Sequence, residues 1–235
     1  MEQQTAGSKV AADISALLRA RNPLLWIVTR EESRAERFIL EAAQAAQYEP
    51  RFWDCATGIS NFNGEPKENG TSAIDPGAAI AAVRDSRQRQ LWVLRDMHKF
   101  LTEPFVLRGL RSLARTLPTM PRDKARAIIV LTPINDVPPE LAGHAIVVEI
   151  PLPDRAEIAA LLDSAITALP DDMRATAAEN GVRERAIDSA VGLTAEEAQA
   201  CFAKSLVTTR KIDPATVASE KKRVIAREKV LEWID

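Results

Sequence analysis

The sequence predicts an α/β fold: a five-stranded parallel wound sheet followed by a small all-helical domain. Three observations carry that reading. Short apolar runs recur without polar–apolar alternation, the pattern of strands buried on both faces. Helical segments separate them, which suits a parallel sheet with helices on both sides. After Pro151-Leu152-Pro153-Asp154 no convincing strand pattern follows, and only helical segments remain.

The elements follow in order. Met1 to Gly7 reads as a tail, and Ser8 is placed to cap a helix running to about Ala20. Val10, Ile14, Leu17 and Leu18 share one side of that helix, and Asn22-Pro23 stops it. Leu24 to Val28 is the first strand, and Ser33 to Gln47 the next helix, with Phe38, Ile39, Ala42 and Ala46 inward. Arg51 to Asp54 is the second strand. A loop rich in Gly and Asn then runs from Cys55 to Ile74. It is longer than most connections in compact domains, a length that suits either a binding element or a disordered segment.

Asp75 caps a helix beginning at Pro76. Leu91 to Leu94 is the third strand, Pro104 to Leu117 a helix, Ala127 to Leu131 the fourth strand and Ala145 to Glu149 the fifth. Beyond the proline-fixed linker, helices are expected over Asp154 to Ala168, Val182 to Val191, Thr194 to Val207 and Asp213 to about Glu232. Thr194 with Glu197 fits a capping box, and Asp213-Pro214 is an N-cap followed by a first-turn proline. The expected domains are 1–22 (tail and N-terminal helix), 23–150 (α/β), 151–212 (helical) and 213–235 (a C-terminal connector helix).

Composition narrows the function classes. Of 235 residues, 46% are hydrophobic and 27% charged, as in an ordinary soluble protein. The formal net charge of −2 excludes a generally basic nucleic-acid coat but leaves room for a local basic face. No apolar run approaches the roughly 20 residues that span a bilayer. Met1 to Lys9 lacks the apolar stretch of a secretory signal, so a cytoplasmic, reduced protein is expected. Cys55 and Cys201 lie far apart and suggest neither a metal site nor a disulfide framework.

Ligands of open parallel sheets bind beyond the carboxyl ends of the strands. After the first strand comes Thr29-Arg30-Glu31-Glu32-Ser33-Arg34. A phosphate-binding loop would need glycines there, with a Lys and a Ser or Thr at the helix start. The glycines are missing, and Glu31 and Glu32 put negative charge where a triphosphate would sit. Each like-charge contact at ~4 Å costs roughly 1 kcal/mol even in bulk water. The plainer role of the two glutamates is to stabilise a helix N-terminus.

After the third strand, Asp96 stands where phosphate-hydrolysing folds hold Mg²⁺, but Met97 takes the place of the usual second acid. Asp96 more simply caps the next turn or pairs with Arg95 or Lys99. After the fourth strand Thr132 is placed to touch a ligand, although a turn beginning at Pro133 explains it as well. The candidate nucleotide contacts are thus Thr29, Ser33, Asp96 and Thr132.

No Ser/His/Asp arrangement is supported by His98 and His144, and a lone histidine is more often structural. Cys55 has no evident local partner and is expected to be a buried structural thiol. No catalytic residue is expected. Arg108, Arg111 and Arg115 share one helical face, and Arg122, Lys124 and Arg126 follow in the next loop. Such arginines serve as an interface element reaching a neighbour's phosphate, as contacts to a nucleic-acid backbone, or as a solvated face. No aromatic platform accompanies them, which weakens single-strand binding.

Several segments together resemble the AAA+ ATPase superfamily. They are Ile14-Ser15-Ala16-Leu17-Leu18-Arg19-Ala20-Arg21-Asn22-Pro23-Leu24, Ile27-Val28-Thr29-Arg30-Glu31-Glu32, Phe52-Trp53-Asp54-Cys55-Ala56-Thr57-Gly58 and Val93-Leu94-Arg95-Asp96-Met97-His98-Lys99-Phe100-Leu101. Leu107-Arg108-Gly109-Leu110-Arg111, Ile150-Pro151-Leu152-Pro153, Gly192-Leu193-Thr194-Ala195-Glu196-Glu197-Ala198 and the tail from Glu220 to Glu232 also fit. More narrowly, the chain resembles the N-terminal half of the AAA proteins named after a hypothetical chloroplast reading frame, found also in cyanobacteria, other bacteria and phages.

The resemblance implies an AAA+/RecA-like sheet, a helical lid and a degenerate AAA-like domain without a phosphate loop. In that family a complete AAA module with its own phosphate loop normally follows, and this chain ends near where it would begin. It is either a piece of a longer protein or a natural short form. The family's ATP-binding residues lie in that second module, so none is carried over. Mg·ATP is a cofactor at the level of the family, and none is expected for this chain.

The expected function is a non-hydrolysing module that binds a partner, helps a ring assemble or regulates the ATPase module. Its partners would be an AAA+ module, another protein or a second copy of the chain, and not a membrane. Two alternatives stay open: an atypical ATP-binding protein using Thr29 to Ser33, and a clamp-loader-like module that meets DNA through Arg108, Arg111 and Arg115.

Overall fold

A computed structural model describes residues 5–65, 73–169, 174 and 180–232. The chain divides into two compact units, one spanning Ser8–Ile150 and the other beginning at Pro151.

The first unit is built on a sheet of β1 (Leu24–Val28), β2 (Glu49–Asp54), β3 (Gly58–Ser60), β4 (Gln90–Arg95), β5 (Arg126–Thr132) and β6 (Ala145–Glu149). Its strand order is β3-β2-β4-β5-β1-β6. All neighbours are parallel except β2 and β3, whose antiparallel register sets Trp53 opposite Ile59. The sheet therefore has six strands where the sequence predicted five. The added strand, β3, lies within the predicted Cys55–Ile74 loop. A turn closed by Asp54 creates it: the carboxylate accepts from the Ala56 and Thr57 N–H groups at 2.9 and 2.6 Å. Gly58, at φ +72°, then reverses the chain. Residues 66–72 of that loop lie outside the described residues.

The helices of this unit are α1 (Ala6–Arg19), α2 (Glu32–Ala45), α3 (Pro76–Asp85), α4 (Pro104–Thr116) and the single turn α5 (Pro139–Ala142). α1 starts two residues before Ser8, so Ser8 is not its cap. Asp75 does cap α3, accepting from the Ala78 N–H at 2.8 Å.

The two faces of the sheet carry separate cores, which is why the strands read as continuous apolar runs. Leu25 and Ile27 of β1 pack with Ile14, Leu18 and Ile39 on one face. Leu24 and Trp26 pack with Trp92, Leu94, Val106 and Leu110 on the other. On that second face α3 and α4 approach closely. A Cβ at Gly109 would stand 2.8 Å from Ile80 Cγ2, so only glycine fits without a shift.

The second unit contains α6 (Arg155–Thr167), α7 (Asn180–Ala190), α8 (Ala195–Thr209) and α9 (Pro214–Glu232). Capping boxes start two of them, Asp154 with Glu157 and Thr194 with Glu197. Asp213 begins α9, accepting from the Thr216 N–H at 3.1 Å. Ile158, Leu162, Ile187, Phe202 and Val217 share its core.

Candidate functional site

The carboxyl ends of β4, β5 and β1 lie side by side in the sheet, and the connections leaving them form the edge where such sheets take ligands. Past the end of β1, the Thr29 N–H still donates to Thr132 O at 2.9 Å, tying the first connection to β5. Thr29 Oγ1 accepts from the Glu31 N–H at 2.9 Å. Glu31 occupies the N-cap position of α2 but does not cap it. Its carboxylate, 6% exposed, instead accepts from Arg34 Nη1 at 3.0 Å. The Arg34 guanidinium also lies 5.1 Å from the centre of the Phe38 ring. A polar group buried to this degree needs such a hydrogen-bond partner.

Arg95, the last residue of β4, is the hub of the edge. Its Nε donates to Glu36 Oε1 at 2.6 Å and its Nη1 to Asp54 Oδ2 at 3.1 Å. Glu32 lies further out, at 3.8 Å. The guanidinium stands 4.9 Å from the centre of the Phe52 ring. Burial works against the charge on Arg95, but Glu36, Glu32 and Asp54 outweigh it and raise its pKa. Burial also works against the Asp54 carboxylate. Hydrogen bonds from Thr57, Ala56 and Arg95 nonetheless hold its pKa below the usual range. Partial burial, then the Glu36 charge, pushes the Glu32 carboxyl above its usual range, and Arg95 opposes this without cancelling it.

These residues do not fit Mg·ATP. A phosphate-binding loop offers several backbone N–H groups from a glycine-rich turn at a helix N-terminus. Here the connection from Thr29 to Glu31 has no glycine, and Thr29 Oγ1 already takes the Glu31 N–H. Around the start of α2, Glu31, Glu32 and Glu36 alternate with Arg30 and Arg34, and the cations Arg34 and Arg95 are already engaged by carboxylates. Among the described residues, no group of three or more His, Cys, Asp or Glu is arranged to hold a metal ion.

The other residues marked by the sequence fall as follows. Ser33 is exposed on the first turn of α2. Thr132 is buried, its hydroxyl accepting from the Ile134 N–H at 3.2 Å in a local turn. Asp96 adopts a left-handed conformation, φ +51°, with an exposed carboxylate 3.8 Å from His98 Nδ1. It does not pair with Arg95, which turns to Glu36 and Asp54 instead. Met97 is buried in the second core, so its side chain faces away from the edge an acid would serve. The His98 side chain is buried with no hydrogen-bond partner at either ring nitrogen. Burial, then Lys99, pushes its pKa down.

Arg108, Arg111 and Arg115 are exposed along α4, and among the described residues none pairs with a carboxylate. Arg122 and Lys124 lie in a single 3₁₀ turn before β5. Arg126 corrects the reading of a loop arginine. It opens β5, is buried, and its Nη1 donates to the carbonyls of Val83, Arg84 and Ser86 at 2.7–2.8 Å. It thus closes the C-terminal end of α3, where unpaired carbonyls and the helix dipole favour a cation. Cys55 is a second correction: it is exposed, because it stands in the tight turn between β2 and β3. Cys201 is buried, and that burial pushes its thiol pKa up.

Sequence reasoning missed the role of Arg95. The available signal was a charged residue closing the apolar run Leu91-Trp92-Val93-Leu94, since a partly buried guanidinium requires acids around it.

Comparison with known proteins adds family and fold. Residues 10–150 match the family described as SpoVK-like AAA ATPase, N-terminal domain. Residues 156–228 match the second domain of the same family. The uncharacterized AAA domain-containing protein ycf46 of Guillardia theta is 27% identical over 227 residues, covering 94% of this chain and 42% of that protein. The Trieres chinensis protein of the same name is also 27% identical, over 94% of this chain and 43% of its own length. The chain thus spans less than half the length of these relatives.

Among solved structures, the AAA domain of FIGL-1 in complex with ADP superposes with a TM-score of 0.57 at 12% identity, covering 87% of this chain and 72% of that one. PCH-2 of C. elegans superposes at 0.53 and 12% identity, covering 94% and 68%. A mutant of Thermotoga maritima RuvB superposes at 0.55 and 10% identity, covering 92% and 68%. Among the described residues, no helix is long and apolar enough to cross a membrane.

Proposed function

The chain belongs to the SpoVK-like AAA ATPase family, and from that premise we propose that it is a non-hydrolysing AAA-like module that assembles with, and regulates, an ATP-competent AAA module. The observation that carries this reading is the glycine-free connection between β1 and α2, held by the Glu31–Arg34 pair beside the Arg95 hub. The fold of an ATPase domain is retained, while the edge that would grip a triphosphate lacks glycines and spends its buried arginines on carboxylates. Such a domain still offers its flanks to neighbours. The length of the relatives, more than twice that of this chain, supports a further module as the partner.

The contact surface in this reading is the exposed face of α4, where Arg108, Arg111 and Arg115 stand free to meet a neighbour's phosphate or acidic surface. Surface arginines add little to folding, within about 0.5 kcal/mol, so their removal separates contact from stability. The test is capture of the ATP-competent AAA module of a family member by this chain, and the effect of the chain on that module's ATP turnover. The wild-type chain is expected to bind and change turnover. The R108A/R111A/R115A variant is expected to keep its melting temperature and lose affinity at least tenfold. Failure of the wild-type chain to bind, or unchanged binding by the triple variant, would refute this surface. Salt-sensitive DNA binding lost in the triple variant would favour the clamp-loader-like alternative.

A further inference from the structure

The opposite edge of the sheet carries a feature that the proposed function does not use. Four helix-to-strand connections return there: α1 to β1, α2 to β2, α3 to β4 and α4 to β5. Together they line an open pocket of about 230 Å³ formed by Arg19, Arg21, Arg89 and Arg122, with Tyr48 and the turn before β2. No Asp or Glu lines it. Among the described residues, none of the four arginines pairs with a carboxylate.

Helix ends explain part of this arrangement. Arg89 donates to Ala46 O at 2.8 Å, just past α2, and Arg21 donates to Met120 O. Each uses one nitrogen of a guanidinium that carries five N–H donors. The side chains of Arg19 and Arg122 have no partner among the described residues, and Arg89 Nε is buried without an acceptor. Arg89 is also held in place, its guanidinium 4.6 Å from the centre of the Tyr48 ring. The Tyr48 hydroxyl in turn donates to Leu18 O at 3.4 Å. Four like charges around one cavity repel one another unless an anion joins them. Guanidinium groups match phosphate oxygens in paired hydrogen bonds.

We propose that this pocket binds a small phosphate-bearing anion of the pyrophosphate class, either free or as the terminal phosphates of a nucleotide. The cavity is smaller than the roughly 300–1,000 Å³ of drug-sized ligand sites, which suits the phosphates and leaves a base outside. The site lies at the amino ends of the strands and is independent of the edge at β1 and α2, so it stands or falls separately from the proposed function.

The test is calorimetric titration of the full chain with inorganic pyrophosphate, with melting temperature followed in parallel. Saturable one-to-one binding and a raised melting temperature are expected. R19A/R122A changes two exposed residues and should fold, and it is expected to weaken binding at least tenfold. R89K keeps the charge but loses the planar fork, and is expected to weaken binding severalfold. R37A, on the exposed side of α2, is expected to bind as the wild type does. Competition by ATP would identify nucleotide phosphates as a source and its failure would identify the free anion; both support the pocket. Absence of binding at millimolar pyrophosphate, wild-type affinity in R19A/R122A, or binding of oligonucleotides alone would overturn it.

Discussion

Replacing Arg95 with alanine is expected to destabilise the α/β unit by about 3 kcal/mol. Breaking a buried charge network by removing one partner costs about 3–5 kcal/mol, and the lower end applies because this edge is partly solvated. Glu36, 11% exposed, would lose its guanidinium, and Asp54 would keep only its turn contacts. For a chain of this size the melting temperature should fall by roughly 6–12 °C. R95M/E36Q, which removes both charges and keeps apolar volume, should recover at least half of the loss. The depressed pKa of Asp54 fixes the sign with pH. Its contribution is present above the unfolded value near about 3.9 and is lost as pH falls through the folded value. The gap between wild type and R95A should therefore narrow in acid. The raised pKa of Glu32 acts the other way, favouring the fold while that carboxyl is protonated. A drop of less than about 2 °C for R95A at neutral pH would show that the hub contributes little.

The second large effect is expected at Arg126. R126A would leave the carbonyls of Val83, Arg84 and Ser86 without their buried donor. Hydrogen bonds to charged groups contribute about 1.5–3 kcal/mol, and unsatisfied carbonyls at the end of α3 add to the loss, so about 3 kcal/mol is expected. Equilibrium denaturation of R126A, R126K and wild type measures it. The lysine variant should recover part of the stability, because it restores the charge at the helix end but not the planar donor set. If R126A matched wild type, the three carbonyl contacts of Arg126 would contribute nothing to stability.

These two arginines mark where the sequence could and could not be read. The run Leu24-Leu25-Trp26-Ile27-Val28 announced a strand buried on both faces, because no alternation masks the pattern. Asp75, Thr194 with Glu197, and Asp213 announced helix starts because the capping bond spans only a few residues. β3 was hidden because three residues, Gly58-Ile59-Ser60, carry too little periodicity to register. Arg126 was hidden because β5 begins one residue before its apolar run, and that one position decides between loop and core. At the candidate site, the missing glycines were visible as letters. The partners of Arg95 were not, because Glu36 and Asp54 are 59 and 41 residues away in the chain. The pocket of Arg19, Arg21, Arg89 and Arg122 was hidden for the same reason, since four separate connections build it.

Mg·ATP titration shows directly whether the β1–α2 edge takes a nucleotide. The opposite pocket would first be disabled by R19A/R122A, so that anion capture there does not enter the signal. Calorimetric titration of that variant with millimolar Mg·ATP is expected to give no saturable heat and no thermal stabilisation. Stoichiometric binding that is strengthened by E31Q or E32Q would overturn the non-hydrolysing reading, because it would place a nucleotide against Glu31 and Glu32.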